Sequence, residues 1–320
     1  MLLRPTRFTS RLAPLAPSAR FFRSQSAHAM STLAAFKDYF SASSKAYAKF
    51  RPTYPPELYE FLSSLTKEHN LVWDVGCGSG QAANGLSAYY KQVVASDPSS
   101  AQIENAPRLH PNVRFEVARA EDDPVAVLGL TPGSVDIVTI AVALHWFDLP
   151  RFYERVAQIA KPRSEGGTVI AAWTYILPTF PKGCEPLQEI LLNYYHNIVG
   201  PVWDASRALV DQEYATIPWP FEHIPLEGKY TEGYGSNGVL RGHFVCERHV
   251  DLAMFVGHLT TWSGARRYEE LHQIDPLTLI YDDLVKHWPG ASEGKGPNGK
   301  GELVTLTHSI SVRLGRVFSD

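Results

Sequence analysis

The stretch Leu71-Val72-Trp73-Asp74-Val75, followed by Gly76-Cys77-Gly78-Ser79-Gly80-Gln81, restricts this chain more than any other. An apolar run that takes in an acid and then breaks into alternating glycines is a buried parallel strand turning sharply into a helix. Gly76, Gly78 and Gly80 carry no Cβ and tolerate positive φ, so a ligand can lie directly on the backbone of the turn. The helix expected from Gln81 to Tyr90 aims its first amides at the same place. A second apolar strand, Gln92 to Ser96, closes on Asp97.

A strand, a glycine turn and an acid roughly 20 residues further on serve more than one class of ligand. The dinucleotide fingerprint needs a glycine at position 81, where this chain has Gln, and its third glycine falls one place early. The pattern D-x-G-x-G-x-G instead resembles motif I of class I S-adenosylmethionine (SAM)-dependent methyltransferases. That resemblance implies SAM as cofactor, with Asp74, Gly76, Gly78 and Gly80 around it and Asp97 chelating the two ribose hydroxyls. The bland alternative is a glycine-rich turn without a ligand.

A narrower resemblance rests on scattered blocks between Tyr47 and Ser263. The segment Tyr47-x-x-x-Arg51-Pro52-x-Tyr54-Pro55, the run His145-Trp146-Phe147-Asp148 after the fourth strand, and Thr261-Trp262-Ser263 resemble the trans-aconitate methyltransferase-like group of small-molecule methyltransferases. The resemblance implies N-terminal helices over the cofactor, with Tyr47, Arg51, Tyr54, Trp146 and Trp262 near the acceptor. Related enzymes set an acid and an amide against the adenine edge after the third strand. Arg119 stands where they carry Asp, so Glu121 or Asp122 would supply the acid and Ala120 the amide. Acids that merely cap the next helix are an equal reading. Arg51 is either a ligand or a solvated arginine.

Ligands of open α/β sheets bind outside the carboxyl ends of the strands, which is where His145 and Trp146 fall. An aromatic run at a strand end is also common core packing. Alternating strands and helices with a late antiparallel strand predict an α/β fold, a doubly wound, mostly parallel sheet of seven strands. The resemblance supplies the order 3-2-1-4-5-7-6. Residues 31–174 form the cofactor-binding core with its N-terminal helices. Residues 175–238, rich in Pro, Tyr and Trp, read as a substrate lid, and 239–320 complete the sheet. Helices are expected over Arg151 to Ala160, Pro186 to Asn197, Leu252 to Thr260 and Arg266 to His287.

A net charge of −3 without a long basic run disfavours a nucleic-acid partner. Cys77, Cys184 and Cys246 are an odd, widely spaced set that suggests neither a disulfide framework nor a metal site. No apolar run reaches the roughly 20 residues of a membrane span. The expected partner is a small molecule, and the sequence assigns no oligomeric state.

The chemistry implied by the resemblance is an in-line methyl displacement that asks the protein mainly for positioning. A carboxylate acceptor is already ionised at neutral pH and needs an anchor, for which Arg51 is the first candidate. A hydroxyl or amine acceptor would benefit from a base, His145, titrating near 6.5. Two rivals from other classes are a nicotinamide-dependent oxidoreductase and a SAM-binding protein without catalysis.

Residues 1–30 carry Arg4, Arg7, Arg11, Arg20 and Arg23 with several serines, and the first acid of the chain is Asp38. This composition resembles a mitochondrial transit peptide, while a start at Met30 would leave a cytoplasmic protein. Residues 1–35 fused to a fluorescent reporter are expected to send it to mitochondria; a diffuse cytosolic signal would refute the targeting.

Overall fold

The computed structural model describes residues 53–296 and 301–319. The transit-like segment, and the first of the expected N-terminal helices, before Phe50, lie outside them. The first part of the described chain alternates as α1 (Pro56–Ser64), β1 (Leu71–Val75), α2 (Gln81–Leu86), β2 (Gln92–Asp97), α3 (Ser100–Asn105), β3 (Val113–Val117), α4 (Pro124–Leu128), β4 (Ile137–Ala141), α5 (Leu149–Ile159) and β5 (Thr168–Tyr175). There follow α6 (Glu185–Asn193), α7 (Arg207–Asp211), β6 (Val239–Val250), α8 (Leu252–Thr260), α9 (Ser263–His272), α10 (Tyr281–His287) and β7 (Val304–Val317). The sheet order is 3-2-1-4-5-7-6, as expected. Only β7 is antiparallel, inserted between β5 and β6.

Successive side chains of a strand point to opposite faces, and both faces here are covered. Val72, Val93, Ile137 and Val169 pack on one face against Leu58, Leu62, Ala83 and Leu86 of α1 and α2. Trp73, Val94, Val138 and Ile170 pack on the other against Phe152, Val156 and Ile159, the apolar stripe of α5. A third cluster lies at the start of β7, where Leu187 and Leu191 of α6 meet Phe255 and Leu259 of α8, Leu284 of α10 and Leu306. The end of the sheet away from the glycine turn is tied down by Asp136. Its carboxylate accepts the Asn70 and Leu71 amides at 2.6 and 2.7 Å and pairs with the buried Lys161.

Two helices differ from expectation for local reasons. α2 stops at Leu86 rather than Tyr90, because the Asn112 side chain donates to the carbonyls of Ser87 and Tyr90 and holds that segment as a turn. The helix expected over Arg266 to His287 is two. Gln273 ends α9 in the left-handed conformation (φ 55°), and Asp275 accepts the Leu277 amide to start a new turn.

Gly85 sets the approach of α1 to α2. A Cβ there would stand 2.1 Å from the Tyr59 ring, whose hydroxyl donates to the Gln81 carbonyl. Gly85→Ala gains roughly 1 kcal/mol of helix propensity but overpacks the contact at about 1–3 kcal/mol. The overpacking should prevail because Tyr59 is buried and cannot swing out. A lower urea midpoint for Gly85→Ala is therefore expected, and an unchanged or raised one would contradict this packing account.

Candidate active site

The turn between β1 and α2 is shaped by what a side chain would strike. Gly76, Gly78 and Gly80 all have positive φ, at 66°, 54° and 83°. A Cβ on Gly76 would sit 2.6 Å from the Ala143 methyl, and one on Gly80 would sit 2.5 Å from the Phe115 ring. Gly76 and Gly80 thus let the turn nest against its own sheet. Around Gly78 nothing comes within 4 Å, so its open side faces a cavity. The Gly78 amide donates to Asp97 Oδ2 at 2.9 Å and the Ser99 amide to Oδ1 at 2.9 Å. Each oxygen keeps a further lone pair with which to accept a hydroxyl.

Asp74 lies behind this turn rather than in the cavity, correcting its expected ligand role. It is fully buried, accepts the Thr139 hydroxyl at 2.7 Å from the neighbouring strand, and does not line the cavity. Burial pushes its carboxyl up to about 7, against the opposing pull of the Thr139 hydrogen bond. Asp74 is a positioning group under the start of α2.

The first cavity, about 340 Å³, lies at the carboxyl ends of β1, β2 and β4. Gly76, Gly78, Asp97 and Tyr54 line it, as does Trp146, while Gly80 stays outside. Ala120 and Glu121 do not line it, and the acid expected of Glu121 is used elsewhere. Ala120 packs in the core. Glu121 is committed to the Asp148 amide at the start of α5 and to Arg119. Asp122 and Asp123 accept backbone amides at the start of their own turns, so capping is what these acids do.

A second cavity of about 370 Å³ adjoins the first, and Gln102, Val142, Trp146 and Tyr175 line both. Val142 holds φ 54°, a strained conformation for a β-branched residue, at the shared wall. The second cavity contains His145 and Trp262. His145 Nδ1 lies 2.9 Å from the Tyr214 hydroxyl. Burial, reinforced by the nearby Arg207 charge, lowers His145 from 6.5 to about 4, so the inflection expected near 6.5 is displaced and the ring is neutral at physiological pH. Tyr47 and Arg51 lie outside the described residues.

Several walls of the second cavity were not anticipated. Trp203 and Arg207 come from the 175–238 insertion, whose sequence has no period to reveal which residues point inward. His258 and Trp262 were legible as an i, i+4 pair, and the Trp262 ring N–H donates to His258 Nε2 at 3.4 Å. His308 was legible too, as an inward position between Leu306 and Ile310 on an alternating strand.

Comparison with known proteins fits this geometry. The methyltransferase domain family matches residues 73–170, the segment from β1 to β5. A protein of Dictyostelium discoideum described as a methyltransferase is 30% identical over 282 residues, covering 88% of this chain and 95% of its own. The chain belongs to the class I SAM-dependent methyltransferases. A Saccharomyces cerevisiae protein described as a SAM-dependent methyltransferase is 37% identical over 142 residues, covering 42% of this chain and 46% of its own. A solved structure described as a type II methyltransferase from Anaeromyxobacter dehalogenans superposes with a TM-score of 0.65 at 31% identity, covering 84% of this chain and 99% of its own.

The residues present suit SAM. Among the described residues Asp97 is the only Asp or Glu on the wall of the first cavity and no Lys or Arg joins it, which favours a ligand carrying a sulfonium. Asp97→Ala removes the carboxylate expected to accept both ribose hydroxyls, bonds of about 1.5–3 kcal/mol each to a charged group, so SAM affinity should fall at least tenfold. Calorimetry returning wild-type affinity would remove Asp97 from the cofactor site.

Proposed function

We propose that this methyltransferase acts on a small-molecule carboxylate, as its resemblance to the trans-aconitate-like group implies. One observation carries the reading: the described wall of the second cavity holds Arg207, Arg266, His145, His258 and His308 and not one Asp or Glu. Such a lining disfavours a cationic amine and favours an anion. Bound SAM supplies an electrophilic methyl group. The chain's own part is to hold the acceptor oxygen at the shared wall of the two cavities and to keep water away. A carboxylate needs no proton removed, which agrees with a neutral His145 that has no carboxylate hydrogen-bond partner among the described residues to orient it as a base.

A hydroxyl acceptor with His145 as base is the competing reading, supported by the placement of that ring beside the shared wall. We further propose that residues 175–238 act as the lid over the acceptor and that residues 1–30 direct mitochondrial import.

The test is transfer of labelled methyl from SAM to a panel of small carboxylic acids, phenols and amines. Acids should be labelled as base-labile esters, and His145→Gln should change their turnover little. The rate should stay flat from about pH 6 to 8, since His145 carries its proton change near 4. Labelling confined to phenols or amines, with a loss of about 10²-fold or more in His145→Gln, would replace the carboxylate reading with the base-catalysed one.

A further inference from the structure

The second cavity contains an anchor that neither the motifs nor the comparisons assign. Arg207 opens α7, and its Nε donates to the Tyr195 hydroxyl at 2.6 Å and to Asp211 at 3.3 Å. Its guanidinium carbon lies 5.1 Å from the centres of both the Tyr195 and Trp203 rings. The side chain is thereby fixed on its Nε side and across its plane. Its two terminal nitrogens have no partner among the described residues, and Arg207 lines the cavity. That is the edge of the fork that binds a carboxylate bidentately. Asp211 stands behind Arg207, on the Nε side, so it steadies the cation without filling the free edge.

The walls beside that fork are aromatic, two indoles inclined by 45° to each other. Trp203 and Trp262 pack with ring centres 5.9 Å apart. Trp203 lies against Gly264, where a Cβ would come within 2.8 Å of the ring. Trp146, 58% exposed, stands at the opening to the cofactor cavity. The same short segment as Arg207 ends in Tyr214, held at φ 60° and bonded to His145.

We propose that Arg207 is the residue that anchors the acceptor, and that the acceptor is a flat, conjugated or aromatic carboxylate lying along the Trp203–Trp262 wall. This rests on the carboxylate reading above and deepens it. The fork holds one carboxylate and the indoles hold the plane next to it, because a flat π-system gains contact on rings that are themselves held in place.

Binding to the full chain loaded with S-adenosylhomocysteine tests this without turnover. Cinnamate and its neutral isostere cinnamamide are titrated by calorimetry. Cinnamate is expected to bind about tenfold or more tightly than the amide, since a charge-assisted bidentate pair is at stake. Arg207→Met should abolish that preference, Arg207→Lys should restore only part of it, and both should keep wild-type affinity for S-adenosylhomocysteine. Trp203→Leu should weaken cinnamate and cinnamamide alike. An Arg207→Met protein that still prefers the acid, or a wild type that binds S-adenosylhomocysteine but not cinnamate, overturns this inference and leaves the carboxylate reading to the methyl-transfer panel. Acids labelled in that panel with an unchanged Michaelis constant in Arg207→Met would likewise place the anchor elsewhere. Labelling of amines or phenols alone would instead sink the carboxylate reading and this inference with it.

Discussion

The hydrogen bond from the Gly78 amide to the Asp97 carboxylate joins the glycine turn of β1 to the acid that ends β2, and the functional half of the molecule depends on it. A parallel sheet sets the carboxyl ends of neighbouring strands side by side, so a turn on one and an acid on the next meet without further help. The turn can take this shape only because Gly76 and Gly80 let its backbone lie against Ala143 and Phe115. Behind it, Asp74 and Thr139 form a buried bond between register partners on β1 and β4. The start of α2 is therefore supported from beneath by one acid and faced from the side by another.

The two cavities differ in charge, and this difference gives the site its direction. Among the described residues the first has Asp97 and no Lys or Arg, and the second has Arg207 and Arg266 and no acid. They meet at Val142, a β-branched residue held at positive φ, where the surrounding sheet over-determines a conformation it would not choose. Burial keeps His145 neutral beside Arg207, which avoids a second positive charge next to the guanidinium.

The strands of the parallel sheet were legible because both their faces are buried, which leaves nearly unbroken apolar runs between glycines and prolines. α5 was legible from Phe152, Val156 and Ile159 alone. Helix ends were less so: whether α2 continues past Leu86 is decided by Asn112, a residue in the loop before β3. The ligand role expected of Glu121 does not show in its side chain, because an acid after a strand can hold a ligand or tie down a helix, and the two uses look alike in sequence.

By itself the sequence determined the fold class, the glycine turn, Asp97 and the position of His145 at a strand end, since each follows from local periodicity or from the missing Cβ. Tertiary structure decided that Asp74 supports the turn instead of lining the cavity, that Tyr214 holds His145, and that Arg207 lines the second cavity. These depend on contacts between residues far apart in the chain, such as the 65 positions between Asp74 and Thr139 and the 69 between His145 and Tyr214. No local pattern encodes such pairings, because they exist only once the sheet has brought separate strand ends and the inserted segment to one place.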